Sequence, residues 1–359
     1  MARVLLFLII STLATFSLYP LVINFLYRFQ LREEINPEVP RTHFAKRGTP
    51  TAAGILMLVV FLFLNSFFNR TSSTVPILLV AFALGGLGLL EDFFKIYHRS
   101  RLRLVIRRTI TPIVTLSDLS WDLYKLALFP WNAFKEVFRA LGSTSVGGIA
   151  PYQKVLAQTA VAAAFAVWLS FTQGTKLWLP VLGEVALGYL YIPFVIAVFL
   201  FFINSISITD GLDGLVGGLL AMNFVALMAV ALVLGEEELA VTSSILVGAL
   251  LAFLYFNIYP ARVFMGNIGA LFLAGVFVST AFILKREILL PVVGGVFVIE
   301  GLSVLLQVAS VKLGRGRIFL MAPIHHHFEM KGWAETKVTM RFWLAGAFLS
   351  ILGLYLTLL

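Results

Sequence analysis

Long apolar runs separated by short polar stretches dominate this chain. Ten of them, at about 4–27, 51–68, 74–93, 153–172, 188–206, 214–234, 239–258, 268–284, 288–311 and 338–358, are long enough, or nearly so, to cross a hydrocarbon layer. Such a layer is roughly 30 Å thick, and a helix rises about 1.5 Å per residue. The pattern therefore predicts an all-α, polytopic integral membrane protein of about ten transmembrane helices, a single helical domain over residues 1–359. The first run is too long for a signal-peptide core and has no small-residue cleavage site after it, so it is expected to stay as a helix.

Charge orients the pattern. When alternate connections are grouped, one set, with Arg28 to Arg47, Lys95 to Lys154, Arg262 and Lys312 to Arg341, holds 22 of the 27 Lys and Arg. The other set holds Arg3, Arg70, Lys176, Lys285 and Arg286. Basic residues accumulate on the cytoplasmic side of membrane proteins, so the first set is expected inside and both termini outside. The net charge of +9 then reads as this bias, with no nucleic acid as partner. The chain is 60% hydrophobic and 13% charged, against about 25% charged in soluble domains. Its lack of cysteine excludes disulfides and thiolate chemistry. One segment departs from the plan: residues 97–147 mix an arginine cluster with Trp121, Trp131, Phe129, Phe134, Lys125 and Lys135. No part of it is apolar enough to span, and a cytoplasmic insert lying on the membrane surface is expected.

The polar residues at helix ends carry the candidate chemistry. Between Asn204 and Gly214, Asp210 and Asp213 stand three residues apart among glycines, a spacing that lets two carboxylates face one ligand or a magnesium ion; one helix cap would need only one of them. Glu91 and Asp92 end another helix with Lys95 one turn on, where the lysine either pairs with Asp92 or holds a phosphate. Asn257 precedes a turn containing Phe264, Gly266, Asn267 and Gly269. Lys46 and Thr51 flank the start of the second apolar run, and Lys154 and Gln158 the start of the fourth. His325, His326 and His327 are expected in a loop presenting one or two imidazoles inward, since three adjacent residues cannot share one helix face. Asp, Lys, Asn and His gathered on one side look like a site for a magnesium-bound pyrophosphate.

These residues resemble those of the phospho-N-acetylmuramoyl-pentapeptide transferases, within the wider superfamily of polyprenyl-phosphate N-acetylhexosamine-1-phosphate transferases. The likeness runs through Lys46 and Thr49 to Thr51, Asp92 and Lys95, Asn204 to Gly214, Asn257, Phe264 to Gly269, and above all Pro323 to Glu329 with Gly332 and Trp333. The resemblance implies transfer of phospho-MurNAc-pentapeptide from UDP-MurNAc-pentapeptide to undecaprenyl phosphate, giving lipid I and UMP, with Mg²⁺. It implies a homodimer in the bacterial cytoplasmic (inner) membrane, in contact with membrane lipid, with the active site on the cytoplasmic face and the ninth helix broken or bent. By position, Phe264 would stack on uracil while Lys46, Asp213 and Asn257 line the uridine pocket, and Thr51, Asn204, Gly211, Leu212 and His327 would also bind substrate. Asp210, Lys95, Lys154, His325 and His326 would surround the pyrophosphate, with Asp92 as a catalytic base or in a structural or metal-linked role. The metal would fall to position 267, Glu91 or Asp210. Two positions depart from the family pattern: Glu91 stands where it has Asp, and Asn267 stands where it has the aspartate expected to bind magnesium. Two other expectations stay open, a sister sugar-1-phosphate transferase and, because of Asn267, a paralogue that keeps the pocket with impaired or no turnover.

Overall fold

The computed structural model describes residues 1–29, 46, 48–97, 150–180 and 182–359. The surface insert expected at 97–147 lies almost wholly outside these residues. The helices are α1 (Ala2–Arg28), α2 (Gly54–Phe68), α3 (Thr74–Tyr97), α4 (Pro151–Thr172), α5 (Tyr191–Thr209), α6 (Leu215–Val233), α7 (Glu237–Asn257), α8 (Gly266–Ile283), α9 (Leu290–Val293), α10 (Gly295–Lys312), α11 (Ile324–Met330) and α12 (Glu335–Thr357). Among the described residues, nine helices are long and apolar enough to cross a membrane. The all-α polytopic expectation holds.

Three details differ from the sequence pattern. The second apolar run yields only 15 helical residues, about 22 Å at 1.5 Å each. Its first residues are drawn into a turn instead. Phe264 N–H donates to Pro50 O (2.8 Å), Ala53 N–H to Phe264 O (3.1 Å) and Gly54 N–H to Met265 O (2.9 Å). These bonds hold Ala52 at φ +68°, outside the helical region, so α2 cannot begin before it. The ninth run is broken: a short turn and α9 precede Gly294, and α10 starts after it. Finally, an antiparallel hairpin joins α4 to α5, with β1 (Lys176–Leu179) paired to β2 (Gly183–Ala186) and Trp178 opposite Glu184. Arg286 stacks over Trp178 at 4.0 Å, tying the hairpin to the end of α8.

The bundle is built around α8, whose whole apolar window is buried. A helix apolar all round belongs in such a central position. It packs chiefly on α3, and also on α5 and α2. The α2 contact is a backbone approach: a Cβ on Gly54 would lie 2.3 Å from Gly269 Cα. Small residues let helices come this close where no water drives association. By contrast α1 and α12 expose much of their apolar surface, as helices facing lipid do. This arrangement brings the turns after α5 and α7, the starts of α2, α4, α8 and α12, and the end of α3 together at one end of the bundle.

Candidate active site

Electrostatics at this end centre on Lys46. Its ammonium lies 2.7 Å from Asp213 Oδ1 and also donates to Glu335 Oε1. Burial works against that ammonium, but Glu335 and Asp213 outweigh it and hold its pKa above the usual lysine value. Asp213 also accepts from Ala261 N–H at 2.9 Å, and its own N–H donates to Glu335 at 2.6 Å. Three distant segments are thereby pinned together: the turn before α2, the turn before α6 and the start of α12. Asn257, on α7, adds a fourth. Its carbonyl accepts from Gly214 N–H (3.1 Å) and its amide donates to Val263 O (2.9 Å). Phe264 follows, half-buried, with Pro50 and the buried Thr51 against its backbone.

The expected pairing of Asp210 with Asp213 on one ligand is not what the fold does. Asp213 is buried in the Lys46 cluster, whereas Asp210 is exposed at the end of α5. The glycine and leucine between them make the turn, Gly211 half-buried and Leu212 buried. One turn back on α5, Asn204 donates to Gln158 Oε1 on α4 at 3.1 Å.

Glu91 and Asp92 also part company. Glu91 pairs with Lys154 at 2.9 Å, both side chains buried, so α3 and α4 are joined by an ion pair. Asp92 turns the other way and caps α8. It accepts from Asn267 N–H (3.1 Å), Ile268 N–H (3.1 Å) and the Asn267 side-chain amide (2.9 Å). The first amides of a helix lack partners within it and carry partial positive charge, so a carboxylate here contributes about 1 kcal/mol. Lys95, one turn further along α3, is close enough to act on Asp92 through its charge.

The histidines lie on the short helix α11 and not in a loop. Pro323 starts that helix, and 100° per residue sends His325 and His326 inward while His327 faces the preceding segment. His327 Nδ1 accepts from Leu320 N–H at 3.1 Å, and burial together with Lys331 holds this imidazole below its usual range. His325 Nδ1 is 3.1 Å from Glu300 Oε2 on α10, both side chains fully buried. His326 Nδ1 is 2.6 Å from Glu329.

Several members of this site escape a reading of the sequence. Glu335 looks like an ordinary acidic residue in a helix's first turn. Trp343, whose indole donates to Gly214 O at 3.2 Å and packs on Gly218, looks like one more lipid-facing aromatic. Glu300 alone signals itself, as an acidic residue deep in an apolar helix.

Metal-ligating capacity is limited. Among the described residues no three His, Asp or Glu side chains converge on a point where an ion would sit. Glu91 is held by Lys154, and the Asn267 amide is turned to Asp92. A magnesium cage made of protein side chains alone does not fit this donor set.

Comparison with known proteins adds a lineage to this geometry. The Glycosyl transferase family 4 profile matches residues 145–285. A phospho-N-acetylmuramoyl-pentapeptide-transferase of Acetivibrio thermocellus is 34% identical over 97% of this chain and 93% of its own length. Those of Halalkalibacterium halodurans and Bacillus subtilis are 36% and 35% identical, over 98% and 99% of this chain and 97% and 98% of theirs.

Proposed function

Because the chain belongs to the phospho-N-acetylmuramoyl-pentapeptide-transferase family, we propose that it transfers phospho-MurNAc-pentapeptide from UDP-MurNAc-pentapeptide to undecaprenyl phosphate, releasing UMP and forming lipid I. It is a multi-pass membrane phosphotransferase, and the reading puts it in the bacterial cytoplasmic membrane with the polar end facing the cytoplasm. The observation that carries the assignment is the meeting at one bundle end of Lys46 and the imidazoles of His325 and His326 around the Asp210–Gly214 turn, with Lys95 and Lys154 at the helix ends beside Asp92 and Glu91, cationic and imidazole groups suited to two phosphorylated substrates.

The half-buried Phe264 ring supplies a stacking surface for uracil, next to the Lys46–Asp213–Asn257 cluster that shapes the uridine pocket. Thr51, Asn204, Gly211, Leu212 and His327 border the nucleotide. Lys95 and Lys154 offset the repulsion between the sugar pyrophosphate and the incoming lipid phosphate, and the imidazoles stabilise charge on departing UMP. The acceptor is already an anion, so little general-base chemistry is needed. Asp92, with both oxygens taken up by α8, serves as the anchor that aims this end of the site. Magnesium enters as the counter-ion of the nucleotide's pyrophosphate, as is common where one or two carboxylates and substrate oxygens share the ion. Its protein contact would come from Asp210, while Glu91 and Asn267, engaged by Lys154 and Asp92, would have to leave those partners to join it. A homodimer is part of the same reading.

Purified protein in detergent with both substrates and Mg²⁺ is expected to release UMP only when the lipid is present. Release without lipid dependence, or none at all, overturns the assignment. An Asn267→Asp variant sharpens it. A rise of about 100-fold in turnover would mean the native amide limits the enzyme; unchanged turnover would mean that position 267 acts only through Asp92.

A further inference from the structure

The two inward histidines share a construction that the transferase reading does not explain. In both, a carboxylate sits at Nδ1: Glu300 Oε2 at 3.1 Å from His325, and Glu329 Oε2 at 2.6 Å from His326. The rings lie side by side, with centroids 4.2 Å apart. Both turn Nε2 toward the same stretch of backbone. A Cβ placed on Gly211 would be 2.8 Å from His325 Nε2 and 3.5 Å from His326 Nε2. Only a glycine leaves room there.

Neither carboxylate is explained by packing. Glu300 is wholly buried in α10, one of the spanning helices, where an uncompensated charge costs several kcal/mol. Among the described residues its only charged partner is His325, 3.1 Å away, and neither of its oxygens completes a well-aligned hydrogen bond. Neither ring nitrogen of His325 completes one, although leaving such buried groups unpaired is costly. A leucine and an apolar ring would fill this space at less expense. An imidazole with a carboxylate at Nδ1 has that nitrogen as its proton-bearing edge, and Nε2 becomes the edge offered to a ligand.

We propose that Glu300 and Glu329 are positioning residues, which fix the tautomer and ring plane of His325 and His326 so that both Nε2 atoms face the phosphate site at the Asp210–Gly211 turn. The inference rests on the transferase reading for the identity of that phosphate, but the geometry of the clamps is independent of it. The Glu300 pair is fully enclosed and acts through a 3.1 Å contact without a well-aligned hydrogen bond, whereas Glu329 is hydrogen-bonded to His326 at 2.6 Å. Glu329, one turn along from His326 on the same short helix, holds the ring closer to the surface.

The test uses the full-length protein in lipid nanodiscs with ¹⁵N-labelled histidine. Wild type is expected to show His325 and His326, assigned with His325→Asn and His326→Asn, each protonated at Nδ1. Glu300→Leu removes the acceptor and is expected to mix the His325 tautomers and lower kcat for UMP release about 10- to 100-fold, with KM for the nucleotide nearly unchanged. Glu300→Gln keeps a carbonyl within reach of Nδ1 and is expected to restore both the tautomer and most of kcat, which a loss of fold would not permit. Glu329→Leu should act in the same direction on His326, more weakly. A His325 proton resident on Nε2 in wild type, or wild-type kcat in Glu300→Leu, overturns the proposal. Failure of wild type to release UMP overturns the transferase reading alone, since the tautomers are read without turnover.

Discussion

The two ends of the bundle join their helices by different kinds of polar contact. Away from the histidines, neutral amides and hydroxyls close on one another. The Asn69 amide donates to Asn65 Oδ1 (3.1 Å), Thr242 Oγ1 (3.0 Å) and Glu238 O (2.8 Å), while Thr74 Oγ1 donates to Asn69 O at 2.8 Å. That knot joins α2, α3 and α7, and every side chain in it is satisfied. At the other end the joints are ionic, Lys46 with Asp213 and Glu335 and Lys154 with Glu91, while unpaired buried polar atoms occur at both ends, Gln158, Glu300 and His325 here and Gln173, Ser243, Thr280 and Glu287 there. A neutral, saturated network stabilises at low cost, whereas buried charges cost free energy and persist where a ligand will use them.

The strongest way to break this contrast is to remove one half of a site-end ion pair. Glu91→Gln leaves the Lys154 ammonium buried without its counter-charge, and such losses amount to about 3–5 kcal/mol. A large fall in Tm in detergent is expected, and the double variant Glu91→Gln with Lys154→Met should regain much of it. Equal Tm for Glu91→Gln and wild type would mean the pair contributes nothing to the fold.

A smaller effect tests a buried acidic group at the end away from the histidines. Glu287 lies between α8 and α9, accepts from Tyr191 Oη at 3.2 Å, and burial pushes its carboxyl up to about 7 despite that bond and the nearby Arg286 and Lys285. A folded-state pKa above the unfolded one means stability is fully present below about pH 4.5 and is lost as pH rises through about 7. At 1.36 kcal/mol per unit the loss is at most about 3 kcal/mol. The fall in Tm between pH 5 and pH 8 should therefore be steeper in wild type than in Glu287→Gln. Parallel profiles would mean that burial of Glu287 carries no such penalty.

The smallest effect belongs to the backbone at the site end. Ala52 at φ +68° adopts a conformation that glycine takes without penalty, so Ala52→Gly is expected to stabilise by about 1 kcal/mol. A destabilised Ala52→Gly would show that the methyl group's packing exceeds the strain.

How far the site could be read in advance depended on the kind of residue. Asp92, Lys154 and the histidines were conspicuous because charge is rare in apolar surroundings, and the hydrophobic runs left little choice about where helices lie. Their pairings were not visible. Asp210 and Asp213 look equivalent at three residues' spacing, yet the turn after α5 buries one against Lys46 and exposes the other. Glu91 and Asp92 are neighbours in the chain, and 100° of helical rotation sends one to α4 and the other to α8. The hairpin after α4 was missed because two four-residue strands are too short to stand out beside apolar helices.

Hydrophobic content and its periodic interruption were enough by themselves to determine a helical membrane protein, because lipid leaves the backbone no alternative to satisfying its own hydrogen bonds. The same polar punctuation marked which helix ends carry chemistry. Only the tertiary structure decided which carboxylate meets which cation, where α2 begins, and that two imidazoles face one glycine. Those outcomes depend on contacts between segments tens to hundreds of residues apart, whose partners are selected by packing and by the cost of leaving a buried charge alone.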